Sequence, residues 1–267
     1  MTDPLLQAQI DGATAYEALF VPALFQPWAP RVATAAKIQP GQRVLDIACG
    51  TGVLAREVAL RVGSQGYVAG LDPDPGMLTV ARRLAPDIDW QAGTAESLPF
   101  PDQSFDVVVS QFGLMFFTDR QQALREMLRV LVPGGRLAIA VWDSLDNTPA
   151  YAAEVAMLER IAGPQAANAL RAPFVLGDTG VLTGLFDHLG YQGLTLSTES
   201  DLARFPSVRA MVEADIRGWL PIMGVILPEA QIAQLLGEAE QVFAPYTGED
   251  GAVTFDSPAH IVTATRP

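Results

Sequence analysis

A doubly wound α/β fold, a parallel sheet with helices on both faces, is predicted for this chain. Three observations carry the expectation. Short apolar runs alternate with helical stretches from Arg43 to Trp142, and such alternation builds βαβ units. The strand segments RVLDIA, GYVAGLD, FDVVVSQ and RLAIAVW are apolar almost throughout rather than at every second residue, as strands covered on both faces are. The first of them runs into a glycine-rich turn, Cys49-Gly50-Thr51-Gly52, that opens a helix, and open α/β sheets bind ligands at such strand ends.

The elements follow in order. Residues 4–37 read as helices interrupted at Pro22, Pro27 and Pro30, with Tyr16, Leu19, Phe20, Ala23 and Leu24 at helical spacing. Gln39–Gln42 is a turn. Strands are expected at Arg43–Ala48, Gly66–Asp72, Ile88–Ala92, Phe105–Gln111 and Arg136–Trp142. Helices are expected at Val53–Val62, Gly76–Leu84 and Asp119–Leu131, the last with Ala123, Leu124, Met127, Leu128 and Leu131 on one face. Pro133-Gly134-Gly135 should turn the chain ahead of the fifth strand. Beyond Trp142 the expected elements are helices at Tyr151–Ala162 and Thr179–Leu189 and a strand at Gly193–Thr198. Helices at Ser207–Trp219 and Pro228–Phe243 and a closing strand at His260–Thr265 complete the set. The organisation is one domain over 1–267: a helical cap (1–39), a core carrying the binding turn (40–200), a helical insertion or lid (203–250) and the last strand (251–267). The insertion is too short to bury its own apolar stripes and must pack on the core.

Composition narrows the function. With 49% hydrophobic and 18% charged residues the chain is not disordered. Size scaling gives a folded surface of about 11,000 Å². The net charge is −13, and Lys37 is the sole lysine. Such a surface repels phosphate backbones and anionic membranes, so neither nucleic acid nor a membrane is expected as partner. Cys49 is the one cysteine and cannot form an internal disulfide, which fits a reducing compartment. Residues 1–9 lack a basic stretch followed by an apolar run. No apolar run reaches spanning length, and a cytoplasmic protein is expected.

The turn carries the chemistry. Gly50 and Gly52 let the backbone bend tightly and approach a ligand. Asp46, on the strand just upstream, would repel a phosphate and suits a ligand with a positive group. Asp72 ends the next strand 20 residues after Gly52, where a ribose diol is hydrogen-bonded in nucleotide-binding sheets. The turn also reads Gly50-x-Gly52-x-x-Ala55, close to the dinucleotide fingerprint, so a nicotinamide-dependent oxidoreductase competes. Asp46 and the Leu98–Phe100 loop weigh against it.

VLDIACGTG (Val44–Gly52), GLDPDPGML (Gly70–Leu78), AGTAESLPFPDQSFDVVVSQFGLMFF (Ala92–Phe117) and LRVLVPGGRLAIAVW (Leu128–Trp142) together resemble the class I S-adenosylmethionine-dependent methyltransferases. The likeness is to the group of ubiquinone/menaquinone biosynthesis methyltransferases. It implies a Rossmann-like, seven-stranded sheet with its last strand antiparallel. It implies S-adenosyl-L-methionine as cofactor and S-adenosyl-L-homocysteine as product, with a small-molecule methyl acceptor. The cofactor would lie against Ala48, Gly50 and Gly52, with Asp46 close by. Asp72 would take both ribose hydroxyls, with Pro73 and Met77 following it. Thr94 and Ala95 would edge the adenine, at a position where relatives often carry an acid in place of Thr94. Gln111 would lie near the methionine part, and Tyr16 could fold over the cofactor. A cofactor-binding protein of the same fold without methyl transfer is the third reading.

Other residues have two readings each. His260 could be a general base at the ligand edge or a structural histidine. Asp143 could be a base or a turn cap. Phe20, Phe112, Met115, Trp142 and Trp219 could line the acceptor pocket or fill the core. Cys49 reads as small-residue packing, and His188 as a solvated helix-end residue. No metal site is expected, and the chain would act as a monomer or homodimer.

Overall fold

A computed structural model describes residues 3–267 of the protein. The N-terminal segment is continuous helix of changing pitch: α1 (Pro4–Phe20), a π-turn over Val21–Phe25, a 3-10 turn over Gln26–Trp28, and α2 (Ala29–Ala35). The prolines expected to break it sit in the first turn of successive pieces, where a missing N–H costs nothing.

The core follows as β1 (Arg43–Ile47), α3 (Val53–Val62), β2 (Tyr67–Asp72), α4 (Pro75–Leu84), β3 (Asp89–Ala92), β4 (Phe105–Gln111), α5 (Arg120–Val130) and β5 (Leu131–Trp142). Boundaries match the sequence expectation within a residue or two, with one exception. The Pro133–Gly135 turn does not precede β5 but lies inside it. Leu131 pairs with Phe105, and the register then slips so that Val107 meets Arg136. The glycines are absorbed as a bulge, which a strand tolerates by bending.

After β5 come α6 (Pro149–Ala162), α7 (Pro164–Arg171), α8 (Thr179–Gly184), β6 (Gln192–Phe205), α9 (Val208–Glu213), α10 (Leu220–Ile222), α11 (Glu229–Phe243) and β7 (Val253–Thr265). Here the sequence expectation needs correction. The helix α7 was not foreseen. β6 runs to Phe205 and β7 begins at Val253, both much longer than expected, because each pairs with the other almost end to end. The expected helix over Ser207–Trp219 loosens into a π-turn at Ala214–Trp219.

The sheet has seven strands in the order β3-β2-β1-β4-β5-β7-β6, with β7 antiparallel to both neighbours. The exposed surface is 11622 Å², close to the scaling expectation. β1 and β4 are adjacent, although β2 and β3 intervene in sequence. Between them the chain reverses its direction of travel across the sheet, and a crevice opens at the carboxyl ends of the strands.

Candidate active site

That crevice widens into a cavity of about 740 Å³, within the usual range for small-molecule sites. It is built outward from the β1 turn. Ala48, Gly50 and Gly52 all have positive φ, at 56°, 55° and 87°. The two glycines are required for different reasons. A Cβ on Gly50 would point into the cavity and meet only Tyr16, at 4.0 Å. A Cβ on Gly52 would strike the Trp90 ring at 2.3 Å. Gly50 therefore gives a ligand close access to the backbone, whereas Gly52 lets the turn pack on β3. Ala48 adopts the left-handed region without being glycine, as does Phe112, at 58°. Both line the cavity, and strain of this kind collects at functional sites. The cap residue of α3, Gly52, offers no side chain to its first turn, whose Ala55 N–H turns to Asp46 instead.

Asp72 fixes the turn. Its Oδ2 accepts from the Gly50 N–H at 2.9 Å and its Oδ1 from the Asp74 N–H at 2.9 Å. The residue is 8% exposed and lines the cavity. Burial pushes its carboxyl up to about 6, against the pull of the two N–H bonds. Each oxygen keeps a lone pair for a further donor.

Asp46 is 1% exposed, and among the described residues no side chain donates to its oxygens; only the Ala55 N–H turns toward them. Burial holds its carboxyl well above the ordinary range, the Ala55 N–H pulls against this, and the Asp72 charge adds to it. It lies in a small adjoining recess with Ala48, Cys49, Gly50 and Gln111, not in the main cavity. A buried carboxyl so short of donors beside the turn fits an amino group and not a phosphate.

The N-terminal cap closes this end. Tyr16 and Phe25 stack at 5.3 Å between ring centres, and Gln111 donates through Nε2 to the Phe25 carbonyl at 3.0 Å. The Gln111 Oε1 faces no donor. Arg56 ties the cap to the turn, through Glu17 at 2.7 Å and the Thr51 carbonyl at 2.6 Å.

Of the residues expected at the cofactor, Tyr16, Ala48, Gly50, Asp72, Pro73, Met77, Thr94, Ala95 and Gln111 line the cavity. Asp46 and Gly52 stand behind its wall, as described. All five expected pocket residues, Phe20, Phe112, Met115, Trp142 and Trp219, line it too. Phe112 and Trp142 lie face to face, with centroids 3.7 Å apart and planes within 6°. Phe116 packs on Trp219 at 5.2 Å, and the Trp219 Nε1–H donates to the Ala169 carbonyl. The lining also includes Phe25, Tyr151, Phe174 and Asp215, none of which the sequence reading singled out.

His260 and Asp143 do not line the cavity. His260 is not at the start of its strand, as expected, but in its middle, opposite Val141. It is 2% exposed. Nδ1 pairs with the Thr198 hydroxyl at 2.8 Å and Nε2 with the Gly177 carbonyl at 2.9 Å. A carbonyl only accepts, so Nε2 carries a proton. Asp143 accepts from the Ser144 N–H and from Asn147, and its Oδ1 is 3.2 Å from His260 Nε2. With both ring nitrogens engaged inside the protein, the geometry is that of a structural histidine and a turn-capping acid. His188 is exposed at φ 63°. The Cys49 thiol is buried and pushed well up by burial, so it packs and does not react.

The comparisons fit this geometry. A family model described as a methyltransferase domain matches residues 45–139. The ubiquinone/menaquinone biosynthesis C-methyltransferase UbiE of Xanthomonas oryzae is 46% identical over 118 residues, 42% of this chain and 47% of that protein. The demethylmenaquinone methyltransferase of Renibacterium salmoninarum is 48% identical over 114 residues, 42% of this chain and 46% of that one. The chain spans about half the length of the curated relatives it matches. Among solved structures, YcgJ of Bacillus subtilis superposes with a TM-score of 0.59 at 20% identity, covering 89% of this chain and 97% of that one. Residues 45–139 thus match a methyltransferase domain, and the sheet order and the turn are those that a likeness to the class I S-adenosylmethionine-dependent methyltransferases implies. Within that class it resembles the ubiquinone/menaquinone methyltransferases. These findings give the nicotinamide reading no support.

Proposed function

We propose that the protein transfers a methyl group from S-adenosylmethionine to a small, largely apolar, ring-shaped acceptor. The observation that carries this reading is the continuity of one cavity. It runs from Gly50, Asp72 and Thr94 to Trp142, Tyr151, Phe174 and Trp219, so cofactor and acceptor share one enclosure. When bound, the cofactor supplies a methyl group already activated on a sulfonium. The protein's task is then positioning. Asp72 accepts from the ribose hydroxyls, Thr94 and Ala95 edge the base, and the Gly50 backbone, with Asp46 behind it, holds the methionine end. The N-terminal cap excludes water. Orientation of this kind is worth roughly 7–11 kcal/mol of barrier.

The acceptor class draws on the aromatic walls, which suit a flat ring. The relatives carry quinone methyltransferase names, and a quinol is consistent with those walls. Their likeness to this chain covers less than half of it, however, and Tyr151, Phe174, Asp215 and Trp219 lie outside the matched methyltransferase domain. A particular quinone is therefore not carried over. The test is incubation with S-adenosylmethionine and a panel of naphthols, naphthoquinols and phenols, with S-adenosylhomocysteine and the methylated product read by mass. Stoichiometric formation of both is expected with at least one ring acceptor. Tight cofactor binding with no product across the panel would overturn the reading in favour of a non-transferring binding protein.

A further inference from the structure

Two acids sit where the acceptor end of the cavity meets the helical insertion. Glu154 lies on α6, in a stripe with Tyr151, Val155 and Leu158, and is 0% exposed. Asp215 lies in the Ala214–Trp219 π-turn and is 2% exposed. Asp215 lines the cavity beside Tyr151 and Trp219. Neither oxygen of Glu154, nor Oδ2 of Asp215, faces a hydrogen-bond donor. What acts on the pair is burial and each acid on the other, and both acids in turn push up the Tyr151 hydroxyl of α6. No cation acts on the pair. As two carboxylates they could only repel each other, whereas a proton held between them makes one a donor to the other. A buried, half-satisfied acid pair is costly, and of the two it is Asp215 that reaches the cavity wall.

Resting on the methyl-transfer reading, we propose that Asp215, backed by Glu154, recognises the acceptor and takes its proton, and that the acceptor is a flat aromatic molecule carrying an ionisable hydroxyl. The Asp215 carboxylate supplies the hydrogen-bond acceptor, and the surrounding rings supply the flat apolar walls. Burial moves the Asp215 carboxyl up to about 8 and Glu154 well above the usual range. That matches a phenolic proton far better than an ordinary carboxylate would. The acceptor's O–H bond breaks and its proton passes to an Asp215 oxygen. The freed electron pair forms the bond to the methyl carbon, and sulfur keeps the pair of the bond that breaks. The acid pair returns the proton to water on product release.

The probe is 2-naphthol against 2-methoxynaphthalene, the same ring without the O–H, titrated into the full chain with and without saturating S-adenosylhomocysteine. At pH 8.5, 2-naphthol should bind at least tenfold more tightly. The preference should fade as pH falls through about 8 and the pair takes up its second proton. Asp215→Leu should bring the ratio to about one while leaving 2-methoxynaphthalene within about twofold. Glu154→Leu removes the proton that Glu154 donates to Asp215, so it should move the midpoint of the preference to higher pH. A purely structural pair would not show that shift, and Glu154→Leu carries the test alone if Asp215→Leu does not fold. Equal binding of the two naphthalenes, an unchanged ratio in Asp215→Leu, or an unmoved midpoint in Glu154→Leu would each overturn the proposal. Failure of S-adenosylhomocysteine to bind would overturn the methyl-transfer reading instead, and the ligand-free titration would still judge the acid pair.

Discussion

Lowering the pH should weaken cofactor binding through Asp72, and the structure sets the size of the effect. In the folded protein its carboxyl stands at about 6, raised from 3.8 chiefly by burial. That corresponds to about 3 kcal/mol against ionisation. The ribose hydroxyls donate, so they need the carboxylate form. At pH 7.5 nearly every molecule has it; at pH 5 roughly one in ten does. Calorimetric titration with S-adenosylhomocysteine should therefore show affinity roughly tenfold weaker at pH 5 than at pH 7.5, with the bend near pH 6. The sign for stability is the reverse. Because the folded value lies above the unfolded one, Asp72's contribution is fully present below about pH 4 and is lost as pH rises through about 6. The ligand-induced rise in melting temperature should accordingly be larger at pH 7.5 than at pH 5. Asp72→Asn can accept from only one of the Gly50 and Asp74 N–H groups and turns a donor toward the other. It should bind at least tenfold more weakly and lose the bend near pH 6. An affinity flat from pH 5 to 7.5 in the natural protein would refute the assignment of Asp72.

Three further outcomes follow from the packing. Gly52→Ala must displace Trp90 and hold φ at 87°, a cost of roughly 2–5 kcal/mol in denaturant unfolding. Gly50→Ala, with open space at its Cβ, should lose cofactor affinity more than stability, and equal stability losses in the two would contradict their separate roles. Trp142→Ala removes a ring stacked on Phe112 at 3.7 Å and should lower stability by about 3–5 kcal/mol; an unchanged urea midpoint would count against that packing. His260→Leu breaks the bonds to Thr198 and Gly177 and should cost about 2–4 kcal/mol. Turnover per folded molecule should keep its pH profile, and a hundredfold loss of rate in fully folded protein would restore His260 as a base.

Most of the sheet and the cofactor half of the cavity are legible in the sequence, because both are local. The β1 turn needs glycines at fixed offsets, Asp72 ends the strand that lies beside it, and covered strands are apolar throughout. The far half is not local. β6 and β7 reach their full lengths only by pairing with each other across some fifty intervening residues. The sequence therefore shows their apolar centres and hides their ends. Pro258 within β7 made the strand look shorter still, and that shift misplaced His260. Asp215 and Glu154 left a readable signal, an acid within an otherwise apolar helical stripe. Such a stripe normally means a solvated edge residue, and only packing α6 against the insertion shows that both acids are buried together.

By itself, then, the sequence determined the class of fold, the glycine turn after the first strand and the acid that ends the second, since each depends on neighbours within one βαβ unit. The tertiary structure alone decided which aromatic rings face the cavity, that His260 is locked between Thr198 and Gly177, and that two carboxyls from distant helices meet. Those outcomes depend on which faces of separate elements come together, and the burial that raises Asp72, Glu154 and Asp215 exists only once they have.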